Sequence, residues 1–570
     1  MESYNIAQAL DEMAAGAPFR PAIIFPAGRD AQGRARFTQL SFQQLREACD
    51  SYAHGFAAYG IRRGDRTLLL VRPGLDLIAA TFALLKIGAV PVLIDPGLGR
   101  KAFLQCVADA EPTALIGIPL AHVIRLGFPK AFRTVQCVIT AGKRWFWGGA
   151  TLAELCAPRR EPFPVAPTML EDEAAIAFTS GGTGLPKGVI YQQGVFRAQI
   201  KLMREEMHVA EGEVHLAAMY IFALFNPALG VTTVIPDMEP RKTAKLNPAF
   251  LVEAIQTHGV TMSLGSPLIW KILGDYCLEH EIRLPSLKHL FMFGDAASPQ
   301  VVARFAAVMA GGKVYTPYGA TEALPLTLID EQTILAETAR LTAQGAGVCV
   351  GKPLGGVEIR VIPLSDEPIP LWQDSLALPP GEIGEIIVKG AVVTQQYLNR
   401  PEQTALAKIA GADGARWHRM GDVGYLDAAG RVWVCGRKAH RVVTANGLLL
   451  PIPCETIFNA HPAVARTALV GVGEYGQQTP VLVVEPKCGK MPGSATAVKT
   501  LIAELLAQGA QFEHTRPIRT ILFHPSLPVD VRHNTKIQRQ ELAVWAAQQL
   551  KRKKSCPYPS PGPSPKSGEG

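Results

Sequence analysis

The segment Ala-Ala-Ile-Ala-Phe-Thr-Ser-Gly-Gly-Thr-Gly-Leu-Pro-Lys-Gly-Val-Ile-Tyr at residues 174–191 constrains the fold of this chain more than any other. Its apolar ends predict a buried strand at 174–178 and further extended chain at 189–191. A helical pattern (Phe196, Ile200, Met203, Met207) begins only after them. The loop between therefore joins strand to strand. In it, Thr179, Ser180, Gly181, Gly182, Thr183 and Gly184 let backbone N–H groups and hydroxyls approach a polyanion, and Lys187 adds a point charge. Such a nest suits a triphosphate. The ordinary P-loop spacing is not met, because Pro186 rather than Gly precedes the lysine and Gly188 rather than Ser or Thr follows it. The hydroxyl that would hold a magnesium ion is thus missing from its usual place. A plain surface turn does not account for six small or hydroxyl residues ahead of Pro-Lys-Gly.

Ahead of this loop, a short extended piece at 37–40 passes into a helix to about residue 58. A buried strand at 67–71, a Leu- and Ala-rich helix ended by Gly88 and a strand at 90–94 follow, which predicts a parallel βαβ unit. At 570 residues the chain is too long for a single core. Past residue 437, a hairpin with an Asn-Gly turn, a helix through Ile457, strands at 468–470 and 481–484 and a helix from about Ala497 predict a compact α+β unit. The expected fold is α/β and α+β. A large multi-sheet N-terminal domain covers 1–436 and a small mobile C-terminal α+β domain covers 437–548. A basic tail rich in Ser, Pro and Gly, without structure, covers 549–570.

The formal charge of +8 does not imply a nucleic-acid surface, because four of those net charges lie in the last twenty residues. Ten cysteines with no C-x-x-C pair predict reduced thiols and no structural zinc. The most apolar stretch, 67–95, is interrupted by Arg72, Asp76, Lys86 and two prolines, so no transmembrane segment is expected. The N-terminus lacks a signal pattern. A soluble, cytoplasmic protein is the expectation.

The phosphate loop resembles the signature of the adenylate-forming superfamily of acyl-CoA ligases, peptide-synthetase adenylation domains and luciferases. Further motifs follow in that family's order to about residue 548, beginning upstream with Leu85-Lys-Ile-Gly-Ala-Val-Pro-Val-Leu-Ile-Asp-Pro96. The resemblance implies ATP and Mg²⁺ as cofactors, a large domain that binds the nucleotide and the acyl group, and a small domain that serves as a lid. From Leu290-Phe-Met-Phe-Gly-Asp-Ala-Ala297 it implies that Gly294, Asp295 and Ala296 border the adenine. From Tyr318-Gly-Ala-Thr-Glu322 it implies that Tyr318 packs on the purine with Gly319 and Ala320 beside it, that Thr321 meets the phosphate, and that Glu322 binds the metal. The chemistry agrees, since a flat ring stacks on a purine and a carboxylate holds a hard cation that keeps its waters. Trp417-His-Arg-Met-Gly-Asp422 is similar to the family's Thr-Gly-Asp segment with Met420 for Thr. It implies Asp422 as acceptor for both ribose hydroxyls, although an Asp in a Gly-Asp turn is more often structural. Gly436-Arg437 implies that Arg437 reaches the nucleotide. Leu527-Pro-Val-Asp-Val-Arg-His-Asn-Thr-Lys536 resembles the closing motif with Thr535 for Gly, which makes Lys536, with Lys187 and Glu322, the implied catalytic set.

Within the superfamily, Phe222-Ala-Leu-Phe-Asn-Pro-Ala-Leu-Gly230 and Pro528-Val-Asp-Val-Arg-His-Asn-Thr-Lys-Ile537 resemble the β-lactone synthetases of bacterial long-chain olefin biosynthesis. Such enzymes adenylate a 2-alkyl-3-hydroxy fatty acid, whose own β-hydroxyl then expels AMP and closes a four-membered ring. The implied partners are a thiolase, a reductase and a β-lactone decarboxylase of the α/β-hydrolase type. The chain departs from the superfamily at Ala223, where a histidine is usual, and at Ala439, where a hinge Asp or Lys is usual. The family's Pro-x-Glu-h-Glu is reduced to Pro451-Ile-Pro-Cys-Glu455. A long-chain fatty acyl-CoA ligase (AMP-forming) is the alternative in the same class. A nucleotide-binding scaffold without turnover is disfavoured, because Lys187, Glu322, Asp422 and Lys536 all remain.

Overall fold

The structure is a computed structural model that describes residues 3–157, 161–179, 186–489, 491, 493–529 and 536–555. The chain divides into two compact units, the larger built on Met1–Arg340 and Val348–Val434 and taking in Lys536, the smaller on Leu341–Gly347, Cys435–Asp530 and the residues from Ile537 on.

The larger unit holds two sheets. The first has seven strands in the order Ala150–Thr151, Cys137–Thr140, Ala114–Gly117, Arg66–Leu70, Val90–Leu93, Glu173–Phe178 and Gly188–Gln192. All neighbours are parallel except the last pair, which turns back antiparallel. The βαβ unit read from the sequence is present, with helix Leu75–Ile87 buried along its length and stopped by Gly88 in the left-handed region at φ 79°. Helix Phe42–Ala58 packs on it and starts from a capping box of Ser41 and Gln44. Lys86 is fully buried between Asp11 at 2.6 Å and Asp50 at 2.5 Å, so this charge inside an apolar helix serves as a paired core group.

The second sheet has fourteen strands. Its centre is parallel, and two features of its antiparallel part shape the site: the hairpin of Lys313–Ala320 with Ala323–Asp330, and the long strand Arg416–Leu426.

In the smaller unit, Val464–Val472 and Thr479–Pro486 pair antiparallel, and Thr520–Phe523 joins the latter in parallel after helix Ala495–Gly509. The hairpin Val442–Thr444 with Gly447–Leu449 turns at Ala445-Asn446, one residue before the expected Asn-Gly, because Gly447 already pairs with Thr444. Helix Arg539–Ser555 buries Leu542 and Ala546 in an apolar cluster that also takes up Trp545 and Leu550. Its last seven residues lie in the segment expected to be without structure, so that expectation is corrected for 549–555. Local composition could not show that Leu550 finds a packing partner. The rest of the tail, 556–570, lies outside the described residues.

Candidate active site

The centre of the site is the hairpin of Lys313–Ala320 and Ala323–Asp330, whose turn is Thr321-Glu322. Gly319 is required by close approach, since a Cβ there would lie 2.8 Å from the Ala323 carbonyl oxygen. Tyr318, half-buried, donates its hydroxyl to Asp422 Oδ2 at 2.7 Å. The structure therefore joins the residue expected at the purine to the residue expected at the ribose.

Asp422 does not stand in a turn. It is buried in strand Arg416–Leu426, where residues 420–422 bulge out between the pairs Ile387↔Arg419 and Glu385↔Val423, with Gly421 at φ 67°. A bulge re-aims a side chain out of the regular alternation, which is how a carboxylate inside a strand comes to face Tyr318. An ion pair spans the foot of the bulge: Arg419 donates to Glu385 Oε2 at 2.6 and 3.0 Å, both side chains being almost wholly buried. Arg419 also donates to the carbonyls of Ser365, Glu367 and Leu406. With these bonds made, the pair fixes the bulge rather than leaving charge stranded.

A second cluster surrounds Glu322. Tyr397 donates its hydroxyl to Glu322 Oε1 at 2.6 Å, and the Lys187 ammonium lies 4.8 Å from the centroid of the same ring. Residues 393–398 tie the two sheets together here. Val393 bridges Ala323, Tyr397 bridges Val189, and the Leu398 amide donates to the Gly188 carbonyl at 2.8 Å. The Thr394 amide and hydroxyl both donate to the Glu322 carbonyl at 2.9 Å. Behind them, buried Lys408 donates to the Thr394 carbonyl; burial pushes its pKa down to about 7, against the pull of Glu322. Tyr191 donates to the Thr321 carbonyl at 2.5 Å, and burial raises its pKa.

The ends of the phosphate loop are closed by two bonds, Thr179 N–H to the Lys187 carbonyl at 3.0 Å and Lys187 N–H to Thr179 Oγ1 at 3.1 Å. The strand–loop–strand arrangement agrees with the sequence reading, Phe178 pairing with Gly188. Ser180, Gly181, Gly182, Thr183 and Gly184 lie outside the described residues. Gly294, at φ 93°, follows strand His289–Met292, which pairs with the Tyr318 strand, and the exposed Asp295 accepts from the Ala296 amide at 2.8 Å. Arg437, in the smaller unit, is the last residue of strand Val432–Arg437 and is exposed. Lys536 is half-buried and precedes Ile537, which bridges Val529.

Glu322 suits a hard cation. Among the described residues its Oε2 takes no hydrogen bond, and no group of three or more metal-ligating side chains occurs, so a metal here would keep most of its shell for water and phosphate. The apolar end is nearly shut. Phe222, Phe225, Leu264, Phe293, Pro317 and Leu324 line a cavity of about 20 Å³, room for a single water. Ala223 is buried in the 3₁₀ turn Tyr220–Phe225 beside it.

Sequence reading missed Tyr397, Thr394 and Lys408. Tyr397 stands 75 positions from Glu322, and no local pattern marks their meeting. The one available hint was Lys408 itself, a lysine in a short apolar stretch.

The AMP-binding enzyme family matches residues 10–398. The olefin β-lactone synthetase of Xanthomonas campestris is 45% identical over 555 residues, covering 96% of this chain and 98% of that protein. The olefin β-lactone synthetase of Stenotrophomonas maltophilia is 44% identical over 560 residues, covering 96% and 99%. Among solved structures, the O-succinylbenzoate coenzyme A synthetase of Bacillus subtilis in complex with ATP and magnesium ion shares the fold with a TM-score of 0.71 at 22% identity, covering 95% of this chain and 100% of that one.

Proposed function

This chain belongs to the AMP-binding enzyme family, and on that ground we propose that it activates a 2-alkyl-3-hydroxy fatty acid with ATP and closes the acyl-adenylate to a β-lactone. The observation that carries the reading is the near full-length likeness to two olefin β-lactone synthetases. In the first step a carboxylate oxygen of the acid attacks the α-phosphorus of ATP and the bond to pyrophosphate breaks. In the second, the β-hydroxyl oxygen attacks the acyl carbon, its proton passes to solvent, and the bond to AMP breaks.

In this reading the protein's work is positioning and charge neutralisation. Lys187 and the loop from Thr179 to Gly184 hold the leaving phosphates. The Tyr318 ring stacks on the purine while its hydroxyl keeps the Asp422 carboxylate turned toward the ribose. Arg437 meets the nucleotide, and Lys536 neutralises the α-phosphate and the incoming carboxylate. Mg²⁺ would be held by Glu322, and when bound it neutralises charge on the phosphates. The Tyr397 hydroxyl orients that carboxylate, and the Thr394 contacts hold the Glu322 backbone, before any ligand arrives.

The tethered β-hydroxyl removes the need for a second substrate, and Ala223 and Ala439, in place of the superfamily's histidine and polar hinge, accord with an enzyme that has no thiol to admit. A thiolase and a reductase would supply the hydroxy acid and a decarboxylase would consume the lactone. The test supplies ATP, Mg²⁺ and a 2-alkyl-3-hydroxy acid without CoA, under conditions too mild to decarboxylate a lactone. A β-lactone with stoichiometric AMP is expected, and the 3-deoxy acid should stall as the adenylate. Turnover that needed CoA and gave a thioester would replace this reading with an acyl-CoA ligase.

A further inference from the structure

Among the large apolar side chains exposed in the described residues, six fall within residues 120–146: Leu120, Val123, Leu126, Phe128, Trp145 and Phe146, each 37% to 78% exposed. They belong to helix Pro119–Gly127, the residue after it, and the turn that leads into Ala150–Thr151, the edge strand of the seven-stranded sheet. Leu120, Val123 and Leu126 lie three residues apart and span an arc of about 120° on one side of the helix.

A buried ring binds helix and turn into one patch. Trp147, 5% exposed, stacks on His122 of the helix at 5.2 Å between centroids and touches the rings of Trp145 and Phe146 at 5.3 Å each. Its indole N–H donates to Thr140 Oγ1 at 3.0 Å. Arg144 pins the same turn through Glu154, at 3.1 Å, and through the Gly149 carbonyl. The two exposed rings are thus held outward by an anchored turn.

The charge carried by this segment of the chain has one sign. Between Glu111 and Glu154 the chain carries Arg125, Lys130, Arg133, Lys143 and Arg144 and no Asp or Glu. The flanking glutamates pair with Arg133, at 3.4 Å, and with Arg144. Arg100 adds a guanidinium 5.8 Å from the centroid of the Phe128 ring. Tryptophan and leucine beside lysines whose long stems can lie along apolar surface is the composition that settles at a lipid–water boundary, where rings enter the interface and ammonium groups reach phosphates. Among the described residues no helix is long and apolar enough to cross a membrane, so the mode is adsorption.

We propose that this edge of the seven-stranded sheet docks on an anionic lipid surface through Trp145, Phe146 and the outer side of helix Pro119–Gly127, with Lys130 and Lys143 on the headgroups. A protein partner is the competing occupant; it would need an acidic apolar face, whereas an anionic bilayer offers both properties everywhere.

The experiment is flotation of the full chain with phosphatidylcholine vesicles and with phosphatidylcholine vesicles containing phosphatidylglycerol. Binding should be about tenfold stronger to the anionic vesicles and should fall with added salt. Trp145→Ser with Phe146→Ser, and separately Lys130→Glu with Lys143→Glu, should each weaken it about tenfold at an unchanged melting temperature. The proposal is overturned if the full chain ignores both vesicles. It is equally overturned if both double variants still bind while a full-length variant with Lys551, Arg552, Lys553 and Lys554 all changed to Gln does not, or if the patch variants alter only self-association or capture of another protein.

Discussion

Replacing Tyr397 with Phe tests the arrangement around Glu322 most directly. The substitution removes one oxygen and leaves the ring, so the Lys187 contact at 4.8 Å and the bridge to Val189 survive while the 2.6 Å bond to Glu322 Oε1 is lost. A hydrogen bond to a carboxylate contributes about 1.5–3 kcal/mol, and the shielding of Tyr397, 6% exposed, keeps it within that range. If the bond acts by holding Glu322 in its productive orientation, that energy appears in the adenylation barrier. At about 1.4 kcal/mol per decade, kcat/KM should fall roughly 10- to 150-fold. The Mg²⁺ concentration for half-maximal rate should rise in parallel. The fold should persist with a stability loss no larger than that bond, because the Glu322 carbonyl keeps both Thr394 bonds. The assay is pyrophosphate release across a Mg²⁺ titration, with thermal melts of both proteins. A variant within twofold of the parent at every Mg²⁺ concentration would refute the argument, since the phenol would then be a packing group that happens to touch the carboxylate.

Lys536→Ala should fold as the parent does and slow adenylation by about two to three orders of magnitude, the usual effect of losing one preorganised charge; single-turnover pyrophosphate release reads it. Arg419→Met should cost about 3–5 kcal/mol in urea denaturation by taking the guanidinium away from the buried Glu385 carboxylate, whereas Arg419→Met with Glu385→Leu should recover most of it. His215 carries an acid liability. Its Nδ1 lies 2.9 Å from Asn226 Nδ2 in a fully buried site, and burial lowers its pKa from 6.5 to about 4. The unfolded chain therefore takes up that proton first. Stability is fully present above pH 6.5 and falls as pH drops toward 4, by about 3 kcal/mol in all, and His215→Gln should flatten that fall in urea midpoints measured from pH 7.5 to 5.

Parts of the candidate site were legible as local structure. The Gly-rich stretch after Ala174-Ala-Ile-Ala-Phe178 marks a loop between strands whatever surrounds it. The Gly319 step into Thr321-Glu322 reads as a tight turn. What could not be read was which of these parts face one another. Tyr318 and Asp422 are 104 positions apart, and their meeting depends on the register of two strands in a fourteen-stranded sheet and on a bulge that turns Asp422 toward the tyrosine.

The sequence by itself determined the elements: backbone hydrogen bonding, caps and apolar period act within a window of some ten residues, and there the pattern of side chains decides helix, strand or turn. It also determined the chemical inventory, in the order Lys187, Glu322, Asp422, Lys536. Only the tertiary structure decided that Tyr397 would hold Glu322, that Lys408 would be buried behind it, and that Arg419 and Glu385 would lock the bulge under Asp422. Those contacts are set by sheet registers and by desolvation among segments up to about eighty residues apart, quantities that belong to the packed molecule and to no stretch of its chain.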